Sequence, residues 1–254
     1  MSHSGSQSVF DRFADAFPLV SNEHARWATE GPFLTRVIRE SGEGKGRVLD
    51  LACGSGFHAR RLTEDGFKVC GLEISAAAIR TGRLLPGGSK VLWVEGDIRQ
   101  PYPGVFDTVL LIGNTLSLLA DKEDVRRVFR HASEALVHQG VFLIHVIDFD
   151  FLQRNPVAIE RTGRVQGEPA TFRKTIRRIR KGALIHINVT LHRQSGHYTE
   201  EGTQRLTIHA PGFLRRCAAD HHMRLTNEIA GFDGLKQARG QTKDRLFAFE
   251  RLSY

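Results

Sequence analysis

Two periods of hydrophobicity alternate along the first 150 residues of the chain. Five short apolar runs have the length and composition of strands that are buried on both faces. They are 48–51, 68–72, 91–94, 107–112 and 141–147. Amphipathic stretches of helical period separate them, and the clearest are 57–64, 75–84 and 122–136. Strands that alternate with helices predict a mostly parallel sheet with helices on both faces.

The pattern changes after residue 150. Residues 183–193 alternate strictly, with Ile185, Ile187 and Val189 on one face and polar side chains on the other, which predicts a half-buried antiparallel strand. Segments 171–180 and 204–209 are plausible neighbours, and Ser195-Gly196 reads as a turn. A helix is predicted from Pro211 to about residue 219, and strands 224–230 and 245–251 are expected to return to the main sheet.

The segment before the first strand reads as helical pieces between residues 9 and 40. Phe10, Phe13 and Phe17 recur near helical spacing, and Pro18 ends that piece. Residues 41–46 form a glycine-rich breaker cluster. We therefore predict an α/β fold: a doubly wound, mostly parallel, seven-stranded Rossmann-like sheet, with an antiparallel β insert after the fifth strand and an N-terminal helical cap. The predicted domains are the cap (1–46), the core (47–158), the insert (159–209) and the final helix and strands (210–254).

The composition of the chain indicates what kind of protein it is. The chain has 254 residues, of which 41% are hydrophobic, so a sizeable core needs no disulfide staples. Three cysteines in apolar surroundings favour a reduced, cytoplasmic compartment, and their spacing predicts no metal site. No stretch is apolar and long enough to span a bilayer, so a soluble protein is expected.

The net charge of +8 allows a nucleic-acid partner. However, eight basic residues fall between positions 160 and 181 against two glutamates, and no stacking aromatics interleave with them. A solvated basic face is therefore favoured. We expect a small-molecule substrate, no membrane, and a monomer or homodimer.

A glycine turn follows the first predicted strand at Gly54-Ser-Gly56, where a helix begins. Strand, glycine turn and helix together bring backbone N–H groups against a ligand. With Ala59 in the third glycine position and Glu73 19 positions past Gly54, the spacing alone permits a dinucleotide. Asp50 argues against it, because a carboxylate just before the turn repels a pyrophosphate and suits a cationic cofactor.

The run V-L-D-L-A-C-G-S-G resembles the first motif of class I S-adenosylmethionine-dependent methyltransferases. The resemblance implies S-adenosylmethionine as cofactor, with Asp50 near its methionyl part and Gly54 and Gly56 under its sugar. Glu73 matches the acidic residue that accepts from the ribose hydroxyls, and Asp97 the one that binds adenine. Five more positions are expected around the cofactor: Ala52, Ile74, Ile98, Ile112 and Trp27.

The segment 106–119 resembles the fourth-strand motif of small-molecule methyltransferases of the glycine and sarcosine N-methyltransferase type. The likeness implies that Asn114 and Thr115 lie near the transferable methyl group and bind the substrate; a turn-forming Asn is the alternative. The end of the fifth strand also resembles this group, which makes His145 and Asp148 catalytic candidates beside Asn114. A satisfied core histidine is an equal reading of His145. The absence of an N-P-P-Y motif counts against base methylation.

The insert is expected to roof the substrate pocket. His186, Asn188 and Arg205 on its polar face are candidate substrate ligands, although contact with water or an oligomer partner is favoured for that face. A metal site is not expected there, because no carboxylate accompanies the histidines at ligand spacing.

The sequence thus predicts a methyltransferase that acts on a small polar molecule, most naturally at an amine nitrogen. Methylation at oxygen or carbon, or of RNA or protein, remains an alternative. A non-catalytic binding module and an NAD oxidoreductase are less favoured.

Overall fold

The computed structural model describes residues 22–233 and 240–253, together with residues 12, 13, 16 and 19. Its strands are β1 (Arg47–Leu51), β2 (Lys68–Glu73), β3 (Leu92–Glu95), β4 (Phe106–Leu111), β5 (Leu136–Ile147), β6 (Val157–Val165), β7 (Glu168–Ile179), β8 (Gly182–Arg193), β9 (Gly196–Leu206), β10 (Met223–Ala230) and β11 (Asp244–Arg251). Its helices are α1 (Glu23–Glu40), α2 (Phe57–Glu64), α3 (Ala76–Leu84), α4 (Lys122–Ala135), α5 (Phe149–Arg154) and α6 (Pro211–Ala219).

The central sheet has seven strands in the order β10-β11-β5-β4-β1-β2-β3. Strands β1 to β5 pair in parallel, whereas β11 pairs antiparallel with both β5 and β10. The predicted doubly wound, mostly parallel sheet is confirmed. The chain runs outward from β1 toward β3 on one side and from β4 on the other, and ligands of open α/β sheets bind at the carboxyl edge of such a switch point.

Strands β1, β2 and β4 of the central sheet are buried on both faces because their side chains alternate between two apolar layers. Leu49, Val109 and Phe142 are register neighbours across β1, β4 and β5, and all are fully buried in one layer. Val48 and Leu110 are fully buried in the other. Each such side chain contributes about 1.5–3 kcal/mol relative to an exposed one, which holds the carboxyl ends of the strands rigidly in line.

A second sheet, which we call the roof, follows β5 and α5. It has four antiparallel strands in the order β6-β7-β8-β9, joined by two-residue turns. At Gln166-Gly167 both turn residues have positive φ, as the tightest hairpin turns require. The predicted alternation in β8 agrees with the buried Ile185, Ile187 and Val189.

Two strands of the roof depart from the sequence prediction. β6 is absent from it because most of its side chains are exposed, so pairing with β7 rather than a hydrophobic pattern defines it. β9 begins at Gly196 rather than near residue 204, and ends at Leu206. The turn between β8 and β9 therefore lies at residues 194–195, one position earlier than predicted.

The N-terminal segment includes one long helix, α1, which continues through Pro32. The buried Arg60 on α2 forms an ion pair with Glu23 and fastens this helix to the core. Phe13 is buried against the roof, whereas Phe10, Phe17 and Pro18 lie outside the described residues. In the part of the chain that the structure describes, no helix is both long and apolar enough to cross a membrane.

Candidate functional site

The loop after β1 leaves its strand through residues with left-handed backbone. Ala52, Gly54 and Gly56 all have positive φ, of 51°, 59° and 71°. A Cβ added at Gly54 would meet nothing within 4 Å, whereas one at Gly56 would lie 2.3 Å from the Trp93 ring. Gly56 is therefore required by packing, and Gly54 leaves open space above the carboxyl edge of the sheet.

Glu73, at the end of β2, ties this loop to the neighbouring strand. One carboxylate oxygen accepts from the backbone N–H of Gly54 at 2.8 Å, and the other accepts from that of Ser75 at 2.9 Å. A carboxylate has about four lone-pair positions, so acceptor capacity remains on both oxygens. The predicted ribose acceptor thus lies beside the open space at Gly54.

Asp50 is buried directly beneath this loop, with 2% of its surface exposed. Its Oδ2 has no hydrogen-bond partner in the described structure. Burial, helped by the nearby charge of Glu73 and opposed by a hydrogen bond from the Ala59 backbone, raises the pKa of Asp50 to about 7. A buried carboxylate with an orphaned oxygen is costly, and a cationic ligand would offset that cost.

Replacing Asp50 with asparagine should change how stability depends on pH. Because the folded state binds the proton of Asp50 more tightly than the unfolded state, the contribution of Asp50 to the free energy of unfolding falls as pH rises from about 3.8 to about 7. Asparagine does not titrate. As pH rises through this window, the free energy of unfolding of the variant should therefore increase relative to that of the wild type by on the order of 3 kcal/mol, as measured by melting curves. A constant difference across this window would contradict the assigned burial of the charge.

The predicted nucleoside contacts fit S-adenosylmethionine unequally. Ile74 is 62% exposed at the edge of the sheet, as an apolar side chain that covers a ring requires. Ile98 and Ile112 are instead almost fully buried in the two layers of the core. An orphaned carboxylate oxygen at Asp50, open space at Gly54 and free acceptor positions on Glu73 together match a cationic nucleoside with a vicinal diol.

Asp97 follows β3 and is held by Arg99. The guanidinium Nε donates to both carboxylate oxygens at 2.9 Å, and the backbone N–H of Arg99 donates at the same distance. The hydrogen bond from Arg99 is the main reason that the pKa of Asp97 is lowered. An adenine amine would share an acceptor that is already bound, so Arg99 fixes the orientation of Asp97 at this edge.

Three hydrogen-bonded ionisable side chains, Arg26, Glu30 and His58, join α1 to the first turn of α2. Glu30 accepts two hydrogen bonds from Arg26, at 2.8 and 3.0 Å, and its Oε2 lies 2.6 Å from Nε2 of His58. Burial raises the pKa of Glu30, but the interactions with His58 and Arg26 outweigh it and hold that pKa at about 2. The Arg26 guanidinium lies 4.6 Å over the Phe57 ring, and Trp27 meets the same ring edge-on.

The loop after β4 carries Gly113, Asn114 and Thr115. Asn114 has a φ of 74°, and its side-chain oxygen accepts from the backbone N–H of Ile147 at the end of β5. That bond fixes the orientation of the side-chain amide, and the Nδ2 group forms no hydrogen bond with any of the described residues. The side chain of Asn114 therefore presents a donor rather than an acceptor.

His145, on β5, uses both ring nitrogens within the protein. Its Nδ1 accepts from the Gly113 backbone N–H at 3.2 Å, so the proton is on Nε2, which donates to Asp244 at 3.1 Å. Its ring also packs against Phe232 at 5.1 Å. His145 thus holds the loop after β4 in place and has no free nitrogen for a proton relay.

Asp148 is 3% exposed and acts as the N-cap of α5. Its Oδ1 accepts from the backbone N–H groups of Asp150 and Phe151. Its Oδ2 accepts from the backbone N–H of Gly240 and from the guanidinium of Arg245. These bonds account for its burial, since a buried carboxylate needs partners.

The three candidate substrate residues of the roof lie on its outer face. His186 is paired with Glu201 at 3.0 Å, and its side chain is 41% exposed. Asn188 accepts from Thr190 and lies two positions from His186 on β8, so it shares the face of His186. Arg205 lies on the same face, because it is the register neighbour of Leu184, which is also two positions from His186. The inner face is instead the one that carries the buried Ile185 and Ile187. The structure does not bring these three residues to the carboxyl edge of the central sheet.

The sequence analysis missed several charged residues of this edge. Glu30 and His58 could have been noticed, since Arg26 and Glu30 are four positions apart on a helix and His58 lies two positions after Gly56. Asp244 gives no such signal, because 99 positions separate it from His145.

Comparison with known protein families gives one domain match. Residues 48–140 match a family model described as a methyltransferase domain. The matched part runs from β1 into β5, so it contains the glycine loop, Glu73, Asp97 and Asn114.

Among curated proteins, the chain is 30% identical over 145 residues to a glycine/sarcosine N-methyltransferase of Aphanothece halophytica, covering 55% of this chain and 54% of that protein. It is 31% identical over 150 residues to a dTDP-4-amino-2,3,4,6-tetradeoxy-D-glucose N,N-dimethyltransferase of Saccharopolyspora spinosa, covering 54% and 59%. The chain thus matches little more than half the length of these relatives.

Among solved structures, a sugar N-methyltransferase from a Streptoalloteichus species superposes with a TM-score of 0.76 at 21% identity, covering 100% of this chain and 96% of that one. At this identity the likeness establishes the fold, including the roof as part of it.

Proposed function

We propose that the chain is a class I S-adenosylmethionine-dependent methyltransferase, and that it moves the sulfonium methyl group of S-adenosylmethionine to an amine nitrogen of a small polar molecule. The match of residues 48–140 to a methyltransferase domain supports the proposal. The proposal rests on one observation: polar groups at one edge of the sheet lack hydrogen-bond partners and face open space. Asp50 has an orphaned buried oxygen, Glu73 has free acceptor positions, and Gly54 leaves space above both.

Each of these residues would contact a different part of the cofactor. Glu73 accepts from the ribose hydroxyls, and Asp97, oriented by Arg99, accepts from the adenine amine. Ile74 covers the ring, while Asp50 and Arg26 balance the charges of the methionyl end. The bound cofactor supplies an already activated methyl group, so the protein contributes mainly approach geometry and electrostatics.

On the acceptor side the chain positions rather than exchanges protons. Asn114 donates from its Nδ2 to a polar oxygen of the acceptor and so aims the neighbouring nitrogen. His145 is a positioning residue, because it fixes the Gly113 backbone through Nδ1 and is itself fixed by Asp244. With both nitrogens of His145 engaged and Asp148 used as a helix cap, proton loss from the amine goes to water.

The proposal of nitrogen as the methylated atom rests on the relatives. Both curated proteins described above are named for N-methylation, one of glycine and sarcosine and the other of an amino sugar. A small acceptor also agrees with the basic residues of the insert, since Arg173 and Arg177 lie on an exposed face of the roof rather than at the edge of the central sheet.

The test is a methyl-transfer assay with S-adenosylmethionine and a panel of glycine, sarcosine and nucleotide-linked amino sugars, each beside its hydroxyl counterpart. We expect S-adenosylhomocysteine to form with at least one amine and the added methyl group to be on nitrogen by mass spectrometry. Methylation of the hydroxyl counterparts alone would overturn the choice of atom.

In the same assay, Asn114→Asp isolates the donor of the side chain. Aspartate keeps the oxygen that accepts from Ile147 but lacks the N–H group, so kcat/KM should fall about 10-fold to 100-fold. Binding of S-adenosylhomocysteine should stay unchanged. The matched control is Asn155→Asp at the exposed C-cap of α5, which should behave as the wild type; an equal loss in both variants would remove Asn114 from the acceptor site.

A further inference from the structure

A cavity of about 240 Å³ opens at the end of the apolar layer that packs against α6. Its walls include Leu116 from the loop after β4, Leu214 from α6 and Phe247 from β11, which all belong to that layer. Ile208, in the segment between β9 and α6, also lines the cavity and is 37% exposed. Apolar side chains thus face an open space, whereas protein interiors are normally packed without voids of this size.

The cavity lies across the central sheet from His145. Val146, the next residue of β5, lines the cavity, and successive side chains of a strand point to opposite faces. The His145 ring packs against Phe232 in the second apolar layer, which also contains residues of α1 and α2. The lining of the cavity includes none of the residues assigned above to the cofactor. The cavity is therefore separate from the cofactor site.

Ser117 supplies a buried hydrogen-bonding group to this cavity. Its side chain lines the wall, the residue is 1% exposed, and its hydroxyl forms no hydrogen bond with any residue in the described part of the chain. The backbone of Ser117 is held on both sides, since its N–H donates to the Asn114 carbonyl at 2.9 Å and its carbonyl accepts from Thr207 at 2.6 Å. The hydroxyl is therefore fixed in place, and a buried polar group without a partner is costly.

The ionisable groups of the lining favour a neutral ligand. Asp148 and Arg245 pair with each other at 3.4 Å, and Asp150 is exposed at the wall. His209 donates from Nε2 to the Leu119 carbonyl at 3.0 Å, and burial lowers its pKa, so its ring is neutral at pH 7. Two carboxylates against one guanidinium repel an anion. Water at the exposed Asp150 weakens any attraction for a cation.

We propose that this cavity binds a neutral ring compound of mainly apolar surface, and that a carbonyl or hydroxyl oxygen of the compound forms a hydrogen bond with the Ser117 hydroxyl. An apolar cavity of about 150 Å³ binds benzene, so the space here takes a compound of about nine or ten non-hydrogen atoms. Apolar walls with few polar groups are the usual form of a small-molecule site. The inference concerns a second site and does not depend on the proposed function.

The experiment measures the affinity for acetophenone, a neutral aromatic ketone of this size, by ligand-observed NMR titration. Ethylbenzene lacks the oxygen, α-methylbenzylammonium carries a cation in its place, and benzoate is an anion. Ser117→Ala removes the hydroxyl, and Val146→Phe fills the cavity from a half-buried position of β5. The matched control is Val141→Phe, which is also half-buried on β5 but lies outside the lining. Melting temperatures report on folding.

We expect acetophenone to bind the wild type about 3-fold to 10-fold more tightly than ethylbenzene, which is the range for one neutral hydrogen bond. Ser117→Ala should lose that difference, bind ethylbenzene as the wild type does, and melt at or above the wild-type temperature, because an unpartnered buried hydroxyl has been removed.

Val146→Phe should bind both compounds at least about 10-fold more weakly, since its ring occupies their space, whereas Val141→Phe should bind both normally. Benzoate and α-methylbenzylammonium should bind the wild type more weakly than acetophenone does. Saturating S-adenosylhomocysteine should leave the affinity for acetophenone unchanged.

Four outcomes overturn the proposal. No binding of acetophenone by the wild type, or an unchanged preference for it in Ser117→Ala, removes the assigned hydrogen bond. Equal weakening by Val146→Phe and Val141→Phe removes the location. Tighter binding of benzoate or of the ammonium probe refutes a neutral ligand. Displacement of acetophenone by S-adenosylhomocysteine assigns the cavity to the cofactor. Acetophenone binding by a protein that does not bind S-adenosylhomocysteine would support this site and refute the proposed function.

Discussion

Replacing Glu73 with glutamine should weaken the binding of S-adenosylhomocysteine about 100-fold, since two hydrogen bonds to a charged acceptor contribute about 1.5–3 kcal/mol each. The substitution keeps the length of the side chain but exchanges one acceptor oxygen for an amide that cannot accept from a ribose hydroxyl. It also loses one of the two bonds that hold the backbone of Gly54 and Ser75. Calorimetric titration measures the affinity directly.

The control for Glu73 is its register neighbour on β3, Glu95. Glu95 is exposed and lies one strand further from the glycine loop, so Glu95→Gln should bind with wild-type affinity. Adenosine, which carries the ribose but no methionyl group, should lose affinity for the Glu73→Gln protein by a similar factor. Wild-type adenosine binding by this variant would refute the assigned ribose contact.

Two alanine substitutions two residues apart should have opposite effects on folding and on binding. Gly56→Ala places a Cβ 2.3 Å from the Trp93 ring at a positive φ, which costs about 1–2 kcal/mol for the backbone and about 1–3 kcal/mol for overpacking. Gly54→Ala incurs only the backbone cost, because its Cβ meets nothing within 4 Å. That Cβ instead occupies the space assigned to the cofactor.

Denaturant melts and calorimetry separate the two effects. Gly56→Ala should lower the free energy of unfolding by about 2–5 kcal/mol in total. Gly54→Ala should lower it only by the backbone cost of about 1–2 kcal/mol. It should, however, bind S-adenosylhomocysteine at least about 10-fold more weakly, since one clash at a tightly packed contact costs more than about 1.4 kcal/mol. Unimpaired binding by Gly54→Ala would show that the open space serves another purpose.

The fold could be predicted because its signals are local. The predicted helices 57–64 and 211–219 match the observed α2 and α6, since a glycine turn opens one and a proline opens the other. Strands β1, β2 and β4 could be predicted as apolar runs, because burial on both faces leaves few polar positions. β6 was not readable, since as an exposed edge strand it depends on its partner β7.

The candidate site was predictable only where its residues stand at strand ends. Asp50, Glu73 and Asp97 lie together because parallel strands end at one edge of the sheet. The hydrogen bonds of His145 with Gly113 and Asp244 required tertiary structure, since they join residues 32 and 99 positions apart. The same is true of the outward position of His186.

Lys174 illustrates a different limit of sequence reading. In the sequence it is one of a run of basic residues for which a solvated face was the favoured interpretation, and Arg173 and Arg177 agree with that interpretation. Only the odd-numbered positions of this part of β7 face outward. The buried Phe172 and Ile176 share the face of Lys174, and its pairing with Ile187 on β8 places that face inward.

The roof is inserted in the chain between β5 and β10, which β11 separates in the central sheet, and it shares no strand with that sheet. Its own pairing is entirely between consecutive strands, so it closes on itself through short hairpins. Doubling the length of a chain excursion adds only about 0.6 kcal/mol of closure entropy. Segments of other lengths and compositions can therefore replace the roof over evolutionary time without disturbing the strands that carry Asp50, Glu73 and Asp97. Acceptor choice and cofactor binding can then diverge at different rates.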